Sequence, residues 1–99
     1  MSNQIVFARF GMGPDPRVSE VLMSEIIANK TEAKILPLPG IIISVFKSEL
    51  TPTQIRDRFK NDSELNEVPF MVSNGILSGD SVFFIGRKGK KKQILKVTL

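Results

Sequence analysis

The stretch that decides the fold is residues 50–60, which reads LTPTQIRDRFK. Thr51, followed three positions later by Gln54, is the pattern of a capping box, in which each side chain accepts a hydrogen bond from the other residue's backbone N–H. Pro52 stands at the first helical position, where its missing N–H is not needed. The sequence therefore predicts an α-helix that starts at Thr51 and carries Arg56 on its surface.

A second helix start lies nearer the N-terminus. Asp15 followed by Pro16 supplies a capping carboxylate and a proline at the first helical position. An apolar stripe with helical spacing follows, and we expect Asn29-Lys30-Thr31 to close the helix. The stripe consists of Val18, Val21, Leu22, Glu25 and Ile26, with Glu25 at its margin or paired.

Strand signals surround the two helices. Pro37 and Pro39 lack backbone donors, so the second predicted strand should lie at a sheet edge or be irregular. The strand after Pro39-Gly40 is apolar on both faces and should be central. Asn74-Gly75 is a turn signal, which should end the fourth strand at Ser73. The predicted strands are Gln4–Phe10, Ala33–Leu38, Ile41–Lys47, Pro69–Ser73, Ser81–Ile85 and Gln93–Leu99.

The order of elements is β-α-β-β-α-β followed by a β-hairpin. This order predicts an α+β protein, a ferredoxin-like two-layer sandwich of residues 1–99 as a single domain, with an added C-terminal hairpin. Both amphipathic helices would then pack on one face of an antiparallel sheet. The other face would stay open unless the hairpin or a partner covers it.

Composition narrows the possible functions. The chain has 99 residues, with 41% hydrophobic and 24% charged residues, which is ordinary for a globular domain. It contains no Cys and no His, which excludes disulfides, thiol nucleophiles, Cys/His zinc sites and imidazole bases. The carboxylates lack the spacing of a metal-binding loop. We expect a non-enzymatic protein with no cofactor and no metal.

The sequence also indicates where in the cell the protein is expected to be. It contains no apolar run near the roughly 20 residues of a membrane-spanning helix. Its first residues enter a strand pattern directly and lack the layout of a signal peptide. We therefore expect a cytoplasmic protein that does not contact a membrane.

Charge is distributed very unevenly along the chain. Residues 1–85 carry eight basic and ten acidic side chains, whereas residues 86–99 carry six basic and none acidic. This asymmetry indicates a polyanionic partner, RNA or DNA, although it is also typical of a soluble hairpin tip. The candidate contact residues are Arg87, Lys88, Lys90, Lys91, Lys92 and Lys96, extended by Arg56, Arg58 and Lys60 of the second helix.

Residues 41–73 resemble part of a known family. They contain a strand, the segment KSELTPTQIRDRF at residues 47–59, and the apolar run VPFMV at residues 68–72. This arrangement is similar to the second half of small ferredoxin-like proteins of the Cas2 type and of antitoxin endoribonucleases. The Cas2 group has an Asp near the end of its first strand, where this chain has Arg9, Phe10 and Gly11. The resemblance therefore implies the fold more than a metal-dependent nuclease activity.

Two functions fit these observations. One is an RNA-leaning nucleic-acid-binding module that uses the basic hairpin as its main contact. The other is a protein inhibitor or adaptor, antitoxin-like or host-modifying, whose basic corner docks on an acidic partner surface. We also expect a homodimer, because the apolar C-terminal strand needs a cover.

Overall fold

A computed structural model describes residues 3–11, 15–78, 81–85 and 94–98. Within these residues the α+β class is confirmed, since one antiparallel sheet is combined with two α-helices. The helices are α1 (Pro16–Val21) and α2 (Pro52–Lys60). The strands are β1 (Asn3–Phe10), β2 (Lys34–Leu38), β3 (Ile41–Ser48), β4 (Phe70–Ser78), β5 (Ser81–Ile85) and β6 (Ile94–Thr98).

The six strands form one sheet in the order β2-β3-β1-β4-β5-β6. Every neighbouring pair is antiparallel. The proline-containing strand β2 lies at one edge, which is the first of the two predicted alternatives, and β3 lies between β2 and β1 as expected of a central strand. The predicted hairpin between the last two strands is confirmed, with Ile85 opposite Ile94. Its connecting residues 86–93 lie outside the described residues.

The helix predicted from the opening stretch is present and begins as expected. The hydroxyl of Thr51 accepts a hydrogen bond from the Gln54 backbone N–H at 3.2 Å. The Gln54 side-chain carbonyl accepts one from the Thr51 N–H at 2.8 Å. Both halves of the capping box are therefore formed, and Ile55 and Phe59 face the core.

The first helix begins as predicted but ends earlier. Asp15 accepts a hydrogen bond from the Arg17 N–H at 2.9 Å, which confirms it as the cap. After α1 the chain makes a π-helical turn, Leu22–Ile26, and then becomes extended. The prediction that residues 29–31 close this helix is wrong. Asn29 instead caps the separate short 3₁₀ turn Lys30–Glu32, because the preceding backbone has turned away to bond β3.

Ser48 holds the end of that π-helical turn against the sheet. It is fully buried, and its hydroxyl donates a 2.6 Å hydrogen bond to the carbonyl of Ile26. The same hydroxyl accepts a 3.1 Å hydrogen bond from the Leu50 N–H. One buried side chain thus connects the end of the first helical segment with the approach to α2.

The main core lies between the helices and one face of the sheet. Ile5 and Phe7 of β1 and Phe46 of β3 pack there against both helical segments. The rings of Phe7, Phe59 and Phe70 form a cluster with centroids 4.7–5.8 Å apart. These contacts fix α2 across β1 and β4.

The fourth strand differs from its prediction. It was expected to end before the turn signal Asn74-Gly75, but β4 runs through both residues to Ser78. Gly75 is buried, and a Cβ there would collide with Val6 and with the backbone carbonyl oxygen of Phe83. The glycine is required because neighbouring strands approach it closely. A turn prediction from the local Asn-Gly sequence cannot detect such a long-range contact.

The second face of the sheet is covered by the sheet itself. A separate buried cluster contains Val6 and Ala8 of β1, Ile43 of β3, and Val82 and Phe84 of β5. Neither α1 nor α2 contributes to this cluster. Since β5 contributes Val82 and Phe84 to a cluster with Val6 and Ile43, the sheet curls so that β5 helps to cover this face. Of the two covers expected from the sequence, the hairpin strand is present.

Candidate nucleic-acid interface

The basic C-terminal segment lies mostly outside the described residues. This applies to Arg87, Lys88, Lys90, Lys91 and Lys92. Lys96 stands in β6 opposite Phe83. The strands nevertheless locate the ends of the segment: Ile85 is opposite Asn74, which is opposite Ile5 near the start of β1. The chain therefore leaves the sheet at the end where β1 starts and α2 begins.

The three basic residues of α2 do not share one surface. Successive residues of an α-helix are rotated by about 100°, so Arg56 and Lys60 project from the same side and Arg58 from a different one. The side chains of Arg56 and Lys60 are exposed. They line a shallow depression of about 320 Å³ whose remaining walls are Asn66, Val68, Pro69 and Phe70.

Arg58 is engaged by carboxylates on another element. Its Nε and Nη2 donate hydrogen bonds of 2.7 and 3.2 Å to the two oxygens of Glu25. Its Nη1 lies 3.6 Å from Asp62, which also pairs with Arg17 at 3.2 Å. The hydrogen bonds to Glu25 raise the pKa of Arg58 and lower the pKa of Glu25. Arg58 is therefore neutralised within the chain, whereas Arg56 and Lys60 are available to a ligand.

Lys60 and the described ends of the hairpin lie at opposite ends of the sheet. Helix α2 starts beside the end of β3 and runs back towards Phe70, which is opposite Arg9 near the end of β1. Lys60, at the C-terminal end of α2, is thus near the end of the sheet opposite Ile85. The structure does not bring Lys60 together with the ends of the hairpin.

Aromatic rings on an exposed sheet face can stack on unpaired bases, and the phenylalanines of β1 and β3 differ in how exposed they are. Phe7 and Phe46 are each 1% exposed in the helix-side core, so they cannot stack on a base. Phe10 is 44% exposed. The burial of Phe7 and Phe46 therefore excludes a nucleic-acid contact that stacks bases on these two rings.

Sequence reasoning missed a site around Arg9. Arg9 lies two residues after Phe7 and four after Ile5 in β1. Side chains at alternate positions of a strand share a face, so Arg9 lies on the helix side of the sheet. There its Nη1 donates a 2.6 Å hydrogen bond to Asp15, at the edge of a cavity of about 330 Å³. The alternating pattern of residues 5–9 is the sequence signal that could have placed Arg9 on this face.

Comparison with protein-family models, with curated proteins and with solved structures finds no match to this chain. Within the described ranges, no three carboxylates are grouped closely enough to hold a metal ion. In the same part of the chain, none of the helices combines the length and apolarity needed to span a membrane.

Proposed function

We propose that this protein is a small, non-enzymatic nucleic-acid-binding module that favours RNA and uses its C-terminal basic segment as the main contact. The observation that carries the proposal is the separation of charge, with six basic and no acidic residues in 86–99 and a net acidic remainder. The basic segment attracts a polyanion, whereas the remainder of the chain, with its net negative charge, does not.

The expected contact is with the phosphate backbone rather than with base edges. Residues 86–92 contain Lys, Arg and Gly, and no amide or aromatic side chain that could address a base. Lys and Arg contacts to phosphates position a protein without selecting a sequence. Binding should therefore be strongly dependent on salt and weakly dependent on sequence. The preference for RNA rests on the resemblance of residues 41–73 to antitoxin endoribonucleases.

A secondary contact is proposed at Arg56 and Lys60. Both are exposed, and both border a depression that contains the partly buried ring of Phe70. Arg58 is excluded from this contact because Glu25 and Asp62 occupy its guanidinium. Since Lys60 and the described ends of the hairpin lie at opposite ends of the sheet, an RNA that contacts Lys60 as well as the hairpin must span the length of the sheet.

We also propose the finer fold assignment, a ferredoxin-like unit formed by β1–β4 with α1 and α2. The antiparallel order β2-β3-β1-β4 and the βαββαβ sequence of elements support it. The chain extends that pattern, because β4 continues to Ser78 and pairs with two further strands on the same sheet. The curl of the sheet encloses the face that an unextended unit would leave open.

Homodimerisation is proposed through the edge strand β6. This strand is the last in the sheet order, with β5 on one side. A two-fold partner strand would satisfy the backbone groups on its other side. Analytical ultracentrifugation at about 10–100 μM should give a dimer, because dimers of useful affinity persist at that concentration. A single 11 kDa species would contradict this part of the proposal.

The binding proposal is tested by fluorescence anisotropy with a labelled 20-nucleotide single-stranded RNA and the matching DNA. If five phosphates are neutralised, the affinity for RNA should fall about a hundredfold between 50 and 200 mM KCl. Replacing Arg87, Lys88, Lys90, Lys91 and Lys92 with Gln should abolish binding and leave the thermal unfolding midpoint nearly unchanged.

Helix α2 offers a matched pair of variants for the secondary contact. The double variant R56Q/K60Q should weaken RNA binding and reduce the steepness of its salt dependence. R58Q removes the same charge from the same helix but should leave affinity unchanged, because Arg58 is already paired. Equal loss in both variants would contradict the assignment of α2. No binding of wild type to RNA or DNA at 50 mM salt would refute the function and favour an acidic protein partner.

A further inference from the structure

A second cavity lies on the helix side of the sheet, where β1 ends and α1 begins. Its volume of about 330 Å³ is within the range of small-molecule sites. Its walls are mostly apolar and include Phe7, Val18, Leu22, Ile42 and Val68. One water molecule occupies about 30 Å³ in the liquid, so a cavity of this volume has room for a ligand of roughly ten non-hydrogen atoms.

One polar group inside this cavity lacks a partner. The side chain of Arg9 is 13% exposed, and its Nη1 donates to Asp15. Its Nε is buried, with no hydrogen-bond acceptor among the described residues. A buried N–H without an acceptor is costly, and buried polar groups almost always have one. A ligand that supplies an acceptor to this Nε would remove that cost.

The charge of the site indicates what kind of acceptor fits. The hydrogen bond from Arg9 lowers the pKa of Asp15, so the carboxylate is ionised at neutral pH and balances the guanidinium. An anionic ligand would gain little attraction from this neutral pair and would still lose its hydration. A neutral carbonyl oxygen accepts the same hydrogen bond at a much smaller desolvation cost.

The rim of the cavity supplies a second indication. Phe10 and Ile35 are 44% and 51% exposed, and both belong to the lining. Large apolar side chains that stand exposed together around a concavity are typical of a binding site. An apolar ligand body would cover both.

We propose that this cavity binds a small neutral amphipathic molecule of about ten non-hydrogen atoms, with an apolar body and one carbonyl acceptor for the Arg9 Nε. An aromatic amide is the simplest example of this class. The Ser44 side chain, buried opposite Phe7 on β3, adds a hydroxyl to the same wall. This inference is independent of nucleic-acid binding, because the cavity contains neither Arg56 nor Lys60.

The probe is acetanilide, an aromatic amide with ten non-hydrogen atoms, titrated into ¹⁵N-labelled protein and followed by two-dimensional NMR. A ligand of this size should bind with a dissociation constant of about 1 mM. The amide signals of Ser19, Leu22, Ile42 and Ser44 should move. Phenylacetate has the same size and shape but carries a negative charge, and it should bind at least about tenfold more weakly.

Two variants separate the roles of the cavity and of the Arg9 Nε. R9K keeps the positive charge beside Asp15 but removes the Nε donor, and it should weaken acetanilide binding about fivefold. S44L fills the cavity and should abolish binding. S63L makes the same Ser→Leu change at an exposed position outside the cavity, and it should bind like wild type. Dispersed spectra for each variant establish that it is folded.

Several results would overturn the proposal. They are the absence of shifts at 20 mM acetanilide, shifts confined to the depression beside Lys60, and equal or tighter binding of phenylacetate. Wild-type affinity in a folded R9K variant would show that the Arg9 Nε does not donate a hydrogen bond to the ligand. Wild-type affinity in a folded S44L variant would place the ligand elsewhere.

Discussion

Replacement of Gly75 by alanine should destabilise the protein more than an ordinary Gly→Ala change. The added Cβ would collide with Val6 and with the backbone carbonyl oxygen of Phe83, and the carbonyl cannot rotate away. Overpacking of a buried site costs up to about 3 kcal/mol. Alanine also lowers the conformational entropy of the unfolded chain, which offsets about 0.4–1 kcal/mol of this cost. The free energy of unfolding should therefore fall by about 2 kcal/mol.

The assay is urea unfolding followed by circular dichroism, with a thermal midpoint as a second measurement. For a chain of this length, a loss of about 2 kcal/mol lowers the midpoint by roughly 8–16 °C. Gly40→Ala is the control, because Gly40 has φ of 77° but no atom within 4 Å of an added Cβ. It should cost about 1 kcal/mol from backbone strain alone.

Val6→Ala in the Gly75→Ala background tests the physical cause. It removes one of the two colliding groups, so the two substitutions should be less destabilising together than the sum of their separate effects, by about 1 kcal/mol. Additive effects would refute the collision with Val6. A Gly75→Ala protein within 0.5 kcal/mol of wild type would refute the close approach of the strands altogether.

Three further predictions concern single side chains. Ser48→Ala should cost about 1–3 kcal/mol by urea unfolding, because it removes both hydrogen bonds of a buried hydroxyl, whereas the exposed Ser24→Ala should cost less than about 0.5 kcal/mol. Thr51→Ala should cost about 1 kcal/mol through loss of the capping box, with equal stability contradicting that role. The pKa of Asp15 is lowered by its hydrogen bond from Arg9, so its stabilisation is complete above the ordinary Asp pKa of about 3.9 and is lost as pH falls through the lower folded value. The stability difference between wild type and Asp15→Asn should therefore shrink on acidification from pH 6 to pH 2, and a difference that grows would contradict this sign.

Local signals in the sequence were sufficient for the helix starts. The capping box at Thr51 and the cap at Asp15 are satisfied by backbone groups within three residues, so their pattern predicts them without knowledge of the rest of the fold. The edge position of β2 was equally predictable, because a proline without an N–H cannot serve a central strand from both sides.

The same local reasoning failed where a distant contact decided the structure. Asn74-Gly75 has the chemistry of a turn, yet Gly75 lies inside β4, because Val6 and Phe83 leave no room for a side chain. Asn29 has the chemistry of a helix end, but the backbone leaves the helix at Ile27 to follow β3. In both cases, packing between residues far apart in sequence outweighed the local preference.

The availability of the charged residues was likewise decided by tertiary structure. Arg56, Arg58 and Lys60 look equivalent in the sequence, but Glu25, 33 positions before Arg58, reaches only the middle one. In the sequence Arg9 is one residue of an apolar strand, and only the fold places Asp15 and a cavity next to its side chain. Sequence spacing determines the side of an element on which a side chain stands, whereas the partner it meets there depends on how the elements pack.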